Sequence, residues 1–195
     1  RNELVQKLKM PLVLILAIWI VFILDQMVPF NFNDLGIIPR TAHGLFGIVA
    51  MPFLHTNLHH IQQNTVTLAL LLIVNYCFRE EEGVTVTLFQ IIFLSGVLLW
   101  IFGRNGNASY PLCHVGASAL IYGLFSFSLI YSLLSQYFSY FIVSLLLTLW
   151  FLPTLILGLQ DVSLSCEGHW CGLIAGLFVS FYQVEKQEVP IWKPL

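Results

Sequence analysis

Long apolar runs, separated by short polar stretches, fill most of this chain. Periodicity says little about them, because a helix that faces lipid is apolar on all sides. A helix needs roughly 20 apolar residues to cross a bilayer, and about 17–25 are tolerated. The pattern predicts an all-α fold, a bundle of six transmembrane helices over residues 11–27, 58–78, 84–102, 115–134, 137–159 and 168–184.

One boundary between these helices is harder to place than the others. Residues 105–160 contain no Asp, Glu, Lys or Arg, yet they must hold two spans and the turn between them. We place this turn near Ser135 and Gln136, which interrupt the apolar run.

Composition excludes a soluble protein. Of 195 residues, 58% are hydrophobic and 9% are charged, whereas a soluble domain carries about 25% charged residues. We therefore expect one membrane domain over residues 1–195, with no separate soluble domain. The first apolar run lacks a small-residue cleavage site, so we expect it to remain as a span. A net charge of -2 without a basic cluster argues against nucleic acid, and the four cysteines form no CxxC pair that would indicate a disulfide framework or a zinc ribbon.

The positions of Lys and Arg predict the orientation. With the N-terminus inside, six of the eight basic residues fall on the inner side, and only Arg40 and Arg104 fall on the outer side. This distribution follows the positive-inside rule. Both termini are therefore predicted to be cytoplasmic. Residues 30–57 then form a long outer loop between the first two spans, and its apolar residues suggest that it lies partly in the membrane interface.

In this topology all the histidines lie on the outer side. They are His43, His55, His59, His60, His114 and His169. Ionisable residues inside a membrane are costly and usually mark function. His60, His114 and His169 stand at the starts of the second, fourth and sixth spans. These three spans run in the same direction and bring their positive dipole ends to one depth. This arrangement favours stabilisation of a negative charge. The alternative is a set of ordinary interfacial side chains, which describes His43 best.

A candidate nucleophile opens the fourth span. Ser118 follows Gly116 and Ala117, and such small residues leave room for a substrate. Serine becomes nucleophilic when a base is close, and His169 opens the sixth span at the same depth. The alternative for Ser118 is a small packing residue, which is common in membrane helices.

Small residues predict close contact between these two spans. Gly172 and Gly176 form a GxxxG strip in the sixth span, and Ala119 and Gly123 have the same spacing in the fourth. Packing of these strips would place Ser118 beside His169.

Other polar residues suggest supporting roles. His60 and Asn64 lie one helical turn apart on one face of the second span, so with the backbone N–H of Ser118 they could form an oxyanion hole. The alternative is a polar face that holds this span against its neighbours. Tyr122 could support the imidazole by stacking, or be a plain packing residue. No carboxylate is well placed, because Glu167 faces away from His169 and Asp161 lies in a loop. The sequence therefore predicts a Ser–His dyad without an acid.

These residues together resemble the rhomboid intramembrane serine proteases, in particular the compact six-span bacterial core of the GlpG type. The resemblance rests on Gly116-Ala117-Ser118, Tyr122, His60-x-x-x-Asn64 and His169-x-x-Gly172-x-x-x-Gly176, and it covers nearly the whole chain. It implies Ser118 as nucleophile, His169 as general base and acid, and His60 with Asn64 near the oxyanion. Two departures are Ala119, where the family often has Gly, and Phe46-Gly47, where it commonly has Trp-Arg.

The resemblance also implies what surrounds the reaction. Such a protein is a multi-pass protein of the bacterial inner membrane, uses no cofactor or metal, and takes single-span membrane proteins as substrates. Its partners are then these substrates and membrane lipid, and no nucleic acid. The outer loop, the fifth span or the loop over residues 158–167 could gate entry, with Gly158 and Gly168 as possible hinges.

Three rival functions remain open. The first is a metal or haem membrane protein. His55 and His59 have the i, i+4 spacing that suits zinc on a helix, although no Glu completes the H-E-x-x-H pattern. A haem bound by two histidines would need them deep in two spans, whereas these lie at the outer edge. A transporter would show repeats or midplane polar residues, and Asp25, the only carboxylate within a span, is better placed to cap its helix. An inactive relative that binds membrane helices without cutting them is the third.

Overall fold

A computed structural model describes residues 2–106, 112–160 and 165–186, with side chains from residue 7 onwards. These residues form no β-strand, only an isolated bridge between Ile37 and His114. Six long helices carry the fold: α1 (Asn2–Met27), α2 (Leu58–Phe78), α3 (Glu81–Phe102), α4 (Ser118–Leu134), α5 (Phe138–Gln160) and α6 (Cys166–Lys186). The predicted all-α fold is confirmed.

Several helix ends differ from the sequence prediction. The helix predicted over 115–134 begins only at Ser118, because Gly116 takes a φ of +114° that a helix cannot include. The expected loop over 158–167 is also wrong at both ends, since α5 continues to Gln160 and α6 already begins at Cys166. Residues 161–164, which include Asp161, lie outside the described residues.

Within the part of the chain that the structure describes, four helices are long and apolar enough to cross a membrane by length and composition: Lys7–Met27, Leu58–Phe78, Glu81–Phe102 and Phe138–Gln160. Helix α4 is apolar but has only 17 residues, which corresponds to about 25 Å of helix. Most of its side chains are buried, so α4 is the central helix of the bundle. The protein is therefore an integral membrane protein, while a count of six spans and the orientation of the termini remain predictions.

Local signals explain where these helices start and stop. Asn57 caps α2, because its side-chain oxygen accepts a hydrogen bond from the His60 N–H at 2.9 Å. The turn between α4 and α5 lies where the sequence predicts it: α4 is capped at Ser135, and Gln136 takes a φ of +55° that ends the helix. Pro153 lies inside α5, where it removes one backbone hydrogen bond.

The segment between α1 and α2 is tied down at several points. It contains four short helical turns, Phe32–Leu35, His43–Leu45, Gly47–Ala50 and Met51–Phe53. The Asp25 carboxylate accepts a hydrogen bond from the Phe32 N–H at 2.6 Å, which supports a structural role for this residue. The Arg40 guanidinium donates to the carbonyls of Ile101 and Gly103 at 2.7 and 2.9 Å. Phe46 and Val49 remain exposed, and the placement of this segment in the membrane interface stays a prediction.

Polar side chains also lock the opposite end of the bundle. The Arg79 guanidinium donates to Gln183 at 2.6 Å and to Thr87 at 2.8 Å, which joins α2, α3 and α6. The Tyr140 hydroxyl donates to the Asn75 side chain at 2.7 Å and anchors the start of α5. These buried and part-buried bonds hold α2, α3, α5 and α6 together at the end of the bundle opposite the histidines.

Candidate active site

A cavity of about 520 Å³ lies at the end of the bundle where α2, α4 and α6 begin. It is lined by the main residues that the sequence singles out, which are His60, Asn64, Ser118, Tyr122 and His169. The structure therefore brings together side chains from three helices that are far apart in the sequence. Gly172 and Gly176 lie away from the cavity, in the contact between α4 and α6.

Ser118 is the first residue of α4 and is half-buried at the cavity. The first intrahelical bond runs from the Ile121 N–H to the Ala117 carbonyl, so the N–H groups of the first turn are not used within the helix. Gly116 shapes the entry to this turn. Its positive φ is readily adopted only by glycine, and its N–H donates to the Met51 carbonyl at 2.9 Å.

The imidazole of His169 is held in one orientation. Its Nδ1 lies 2.7 Å from the Gly158 carbonyl oxygen. A carbonyl only accepts, so Nδ1 carries the proton and donates it, and Nε2 of the neutral ring is left with a free lone pair. The Tyr122 ring stacks on the imidazole with a centroid distance of 4.3 Å and an angle of 9°, and its hydroxyl donates to the Leu155 carbonyl at 2.9 Å.

These contacts show why Gly158 is a glycine. A side chain at this position would collide with the Tyr122 hydroxyl and press on the imidazole of His169. Gly158 and Gly168, the two possible hinges, both lie inside helices and are buried. Gly158 allows a close contact between α5 and the side chains of Tyr122 and His169. Sequence reasoning missed this partner of His169, because a backbone carbonyl has no signature in the sequence.

Among the described residues, no hydrogen bond joins Ser118 directly to His169. Both side chains line the same cavity, and their helices are in close contact. Catalytic hydrogen bonds in proteins without substrate are often long and tighten only when substrate is bound.

The contact between α4 and α6 follows the small residues predicted for it. A Cβ atom at Gly172 would overlap the carbonyl oxygen of Ala119, and one at Gly176 would overlap that of Gly123. The two helix backbones therefore touch, which is possible only because these positions lack side chains. This contact sets the distance between the helix starts that carry Ser118 and His169.

His60 and Asn64 face the backbone just before Ser118. A Cβ atom at Gly116 would lie 2.8 Å from His60 Nε2 and 3.5 Å from the Asn64 amide nitrogen. His60, Asn64 and Ser118, the first residue of α4, line the same cavity. An arrangement of this kind can stabilise negative charge on a substrate oxygen.

His55 is a further residue of this site that sequence reasoning left undecided. Its ring is buried, and its Nε2 accepts a hydrogen bond from the Asn64 amide at 3.0 Å. Its ring also contacts that of His60 edge to face, with a centroid distance of 5.0 Å. His55 therefore fixes the amide of Asn64, and its Nε2 is occupied by that amide rather than shared with the exposed His59.

The pKa of His55 leads to a prediction about stability. Burial, assisted by the nearby His60, lowers this pKa from 6.5 to about 4. Between these values the unfolded chain binds more protons than the folded protein, so the free energy of unfolding falls as pH falls through this window. We expect His55→Gln to show a weaker loss of thermal stability than the parent when detergent-solubilised protein is taken from about pH 7 to 5. The exposed His43→Gln is the control and should keep the parental dependence. An unchanged dependence in His55→Gln would contradict this assignment.

The charged residues Arg104 and Glu167, close to the cavity, pair with each other. Glu167 forms an ion pair with Arg104, which agrees with the prediction that it does not serve His169. Among the described residues, no group of three His, Cys, Asp or Glu side chains is placed to hold a metal ion.

Comparison with known proteins identifies the family. A model of the Rhomboid domain matches residues 42–186. Uncharacterized proteins of Mycobacterium bovis and Mycobacterium tuberculosis are each 30% identical to the chain over 175 residues, which is 87% of this chain and 72% of theirs. One of Mycobacterium leprae is 28% identical over 169 residues, 84% of this chain and 66% of its own. The chain belongs to the rhomboid family of intramembrane proteases.

Proposed function

We propose that the protein is a serine endopeptidase that cuts substrate transmembrane helices with a dyad of Ser118 and His169. The observation that carries this proposal is the state of His169. Its Nδ1–H is bound by the Gly158 carbonyl and its ring is stacked on Tyr122, which leaves Nε2 as an oriented base. This backbone carbonyl takes the orienting role that a carboxylate has in a triad.

The reaction then proceeds in two steps. His169 Nε2 accepts the hydroxyl proton of Ser118 as Oγ attacks the carbonyl carbon of the scissile peptide bond. The tetrahedral intermediate collapses, Nε2–H protonates the departing amine, and an acyl-enzyme remains. In the second step, Nε2 takes a proton from a water molecule as the water oxygen attacks the ester carbon. Nε2 then returns this proton to Ser118 Oγ, the ester bond breaks, and the carboxylic acid product is released.

Negative charge on the intermediate would be stabilised by donors in the cavity. The backbone N–H of Ser118, a ring N–H of His60 and the amide of Asn64 are the candidates. Gly116 and Ala117, predicted to leave room for the substrate, are themselves buried, and Gly116 lets the His60 ring approach the backbone before Ser118. Thr56 lies 3.4 Å from Nδ1 of His60, so a proton donated by Thr56 to Nδ1 would leave Nε2–H facing the cavity. Such oriented donors act more strongly in a site that excludes bulk water.

Water must still reach Ser118, although hydrocarbon excludes it. The cavity is lined by polar residues of the loops as well as by the helices, including Asn57, Arg104 and His114. We place this polar mouth on the outer side of a bacterial inner membrane, with six spans and both termini cytoplasmic, as the basic residues indicate.

Substrates of this site are single-span membrane proteins. An intact helix shields its peptide bonds, so cleavage requires a segment near the outer end with small or helix-breaking residues. Entry past α5 is supported by the exposure of this helix, where Trp150 is 81% exposed, and by Phe151, Thr154 and Leu157, which line the cavity.

The test is cleavage of a model single-span substrate by the purified protein in detergent, with and without a chelator. We expect cleavage near the outer end of the substrate helix, resistant to the chelator. Cleavage that the chelator abolishes would instead support a metal enzyme. A protein that binds such helices without cutting any of a panel of them would be an inactive relative.

Replacing Tyr122 should separate stacking from hydrogen bonding. Tyr122→Phe keeps the ring on His169 and loses only the bond to Leu155, so we expect a loss of kcat of about 2–10-fold. Tyr122→Leu also loses the stacked ring, and we expect a loss of about 100-fold because the base is no longer held in place. Equal kcat values for the two variants would show that stacking does not orient His169.

A further inference from the structure

His114 lies four residues before Ser118 and outside the long helices, yet its side chain is only 2% exposed. Its backbone pairs with Ile37 of the outer loop through two hydrogen bonds, of 2.8 and 3.0 Å. The segment from His114 to Ser118 is therefore held by its backbone to the loop over residues 30–57. The His114 imidazole is left to make contacts elsewhere.

Both ring nitrogens of His114 are engaged. Nε2 lies 3.0 Å from the carbonyl oxygen of Arg104, and Nδ1 lies 2.6 Å from the hydroxyl of Ser165. Because a carbonyl only accepts, Nε2 carries the proton, and Nδ1 of the neutral ring accepts from the Ser165 hydroxyl. Burial lowers the pKa of His114, which favours this neutral form.

Ser165 connects this imidazole to the catalytic base. It directly precedes α6, and its carbonyl accepts the backbone N–H of His169 at 3.2 Å, in the first turn of that helix. The ring of His114 therefore joins the link before Ser118 to the turn that presents His169.

A second tie runs beside this one but is weaker. The Arg104 side chain pairs with Glu167 in the same turn of α6, and the two side chains are 46% and 22% exposed. Partly exposed ion pairs contribute little to fixing a geometry, because water screens them and the long side chains are flexible. The buried bonds of His114 are the stronger connection.

We propose that His114 is a positioning residue that fixes the start of α4 against the start of α6, and thereby sets Ser118 relative to His169. The contact between α4 and α6 sets the distance between the two helices, and His114 adds a bond between the segments that lead into their first turns. This inference rests on the proposed function, since it assigns a role within that dyad.

The two ring nitrogens can be tested separately. Asparagine places a polar atom near the position of Nδ1 and can keep the contact with Ser165. Glutamine reaches the position of Nε2 and can keep the contact with Arg104. If the bond to Ser165 transmits the effect, His114→Asn should retain more activity than His114→Gln.

The experiment measures kcat, KM and the rate at which a fluorophosphonate labels Ser118, at a temperature where each variant is folded. We expect His114→Ala to lower kcat and the labelling rate about 10–100-fold while KM stays within about 2-fold. Ser165→Ala should show the same pattern, and His114→Ala/Ser165→Ala should be no worse than His114→Ala alone, because the bond that Ser165→Ala removes is already absent in His114→Ala. Trp19→Phe, which loses a 2.9 Å bond to Thr65 on another face of the bundle, is the control and should keep the parental kcat.

Parental labelling and kcat in folded His114→Ala, or additive losses in the double variant, would overturn the proposal. If His114→Ala does not fold, the test rests on Ser165. The proposal then requires lower kcat and labelling rates in Ser165→Ala and the parental rates in Ser165→Thr, which retains the hydroxyl. A parent protein that neither labels nor cleaves would overturn the proposed function, and this inference with it. Normal labelling of the parent together with equally fast labelling of the variants would overturn the inference alone.

Discussion

Cleavage of a model single-span substrate should fall by roughly 10³-fold or more in both Ser118→Ala and His169→Ala. The first variant lacks the attacking oxygen, and the second lacks the group that takes its proton. Because the two residues act as one unit, the double variant should lose no more than either single variant. The measurement is the initial rate of product formation in detergent at equal concentrations of folded protein.

Two matched variants control for nonspecific effects. Ser135→Ala removes a hydroxyl at the other end of α4, and His43→Ala removes an exposed histidine whose ring contacts the Asp34 carbonyl. Both should cleave at the parental rate. Residual cleavage by Ser118→Ala comparable to that of the parent would contradict the assignment of the nucleophile.

The second large effect is expected from Gly172→Ala. The added methyl group would overlap the Ala119 carbonyl oxygen, which belongs to a helix backbone and cannot rotate away. The helices α4 and α6 must therefore separate at the turn that carries Ser118 and His169. We expect a loss of stability of about 1–3 kcal/mol from overpacking and a loss of kcat of about 100-fold, because the reacting groups are displaced.

Gly83→Ala is the matched control for this substitution. The nearest atom to a Cβ at Gly83 is a guanidinium nitrogen of Arg79, at 3.5 Å, which is an ordinary contact. This variant should keep the parental activity and gain up to about 1 kcal/mol of stability from the reduced freedom of the unfolded chain. Thermal unfolding and cleavage rates of the two variants give the comparison. A Gly172→Ala protein with parental values of both would show that α4 and α6 are not in close contact.

The helices could be predicted because the bilayer demands long apolar segments. The sequence predicts a helix over residues 58–78, and α2 has these bounds. An apolar run indicates contact with lipid, however, and does not indicate at which residue the hydrogen bonding of a helix begins. The run through Gly116 is continuous in the sequence, yet α4 starts after it, because the backbone turns there with a positive φ.

Part of the candidate site could be predicted for a related reason. The histidines gather at one predicted depth, which draws attention to His169 and His60 and to the nearby Ser118 and Asn64, and the glycines of α6 predict the packing that brings Ser118 and His169 together. The structure places these four at one cavity, while their roles in catalysis remain predictions.

The supporting contacts could not be predicted. The bond of His169 to the Gly158 carbonyl depends on a backbone atom, and that of His114 to Ser165 joins side chains 51 residues apart. The sequence does not decide the role of His55, because only the folded protein shows its bond to Asn64. Such contacts arise from tertiary packing, and neither composition nor spacing along the chain records them.

In the proposed dyad, His169 makes Ser118 the one activated serine of this protein. The most direct test is treatment of the detergent-solubilised protein with a fluorophosphonate, followed by peptide mapping of the adduct by mass spectrometry. We predict a single adduct on Ser118 in the parent, and little or none at the same exposure time in His169→Ala. An adduct on another serine, or equal labelling of Ser118 in His169→Ala, would contradict the dyad.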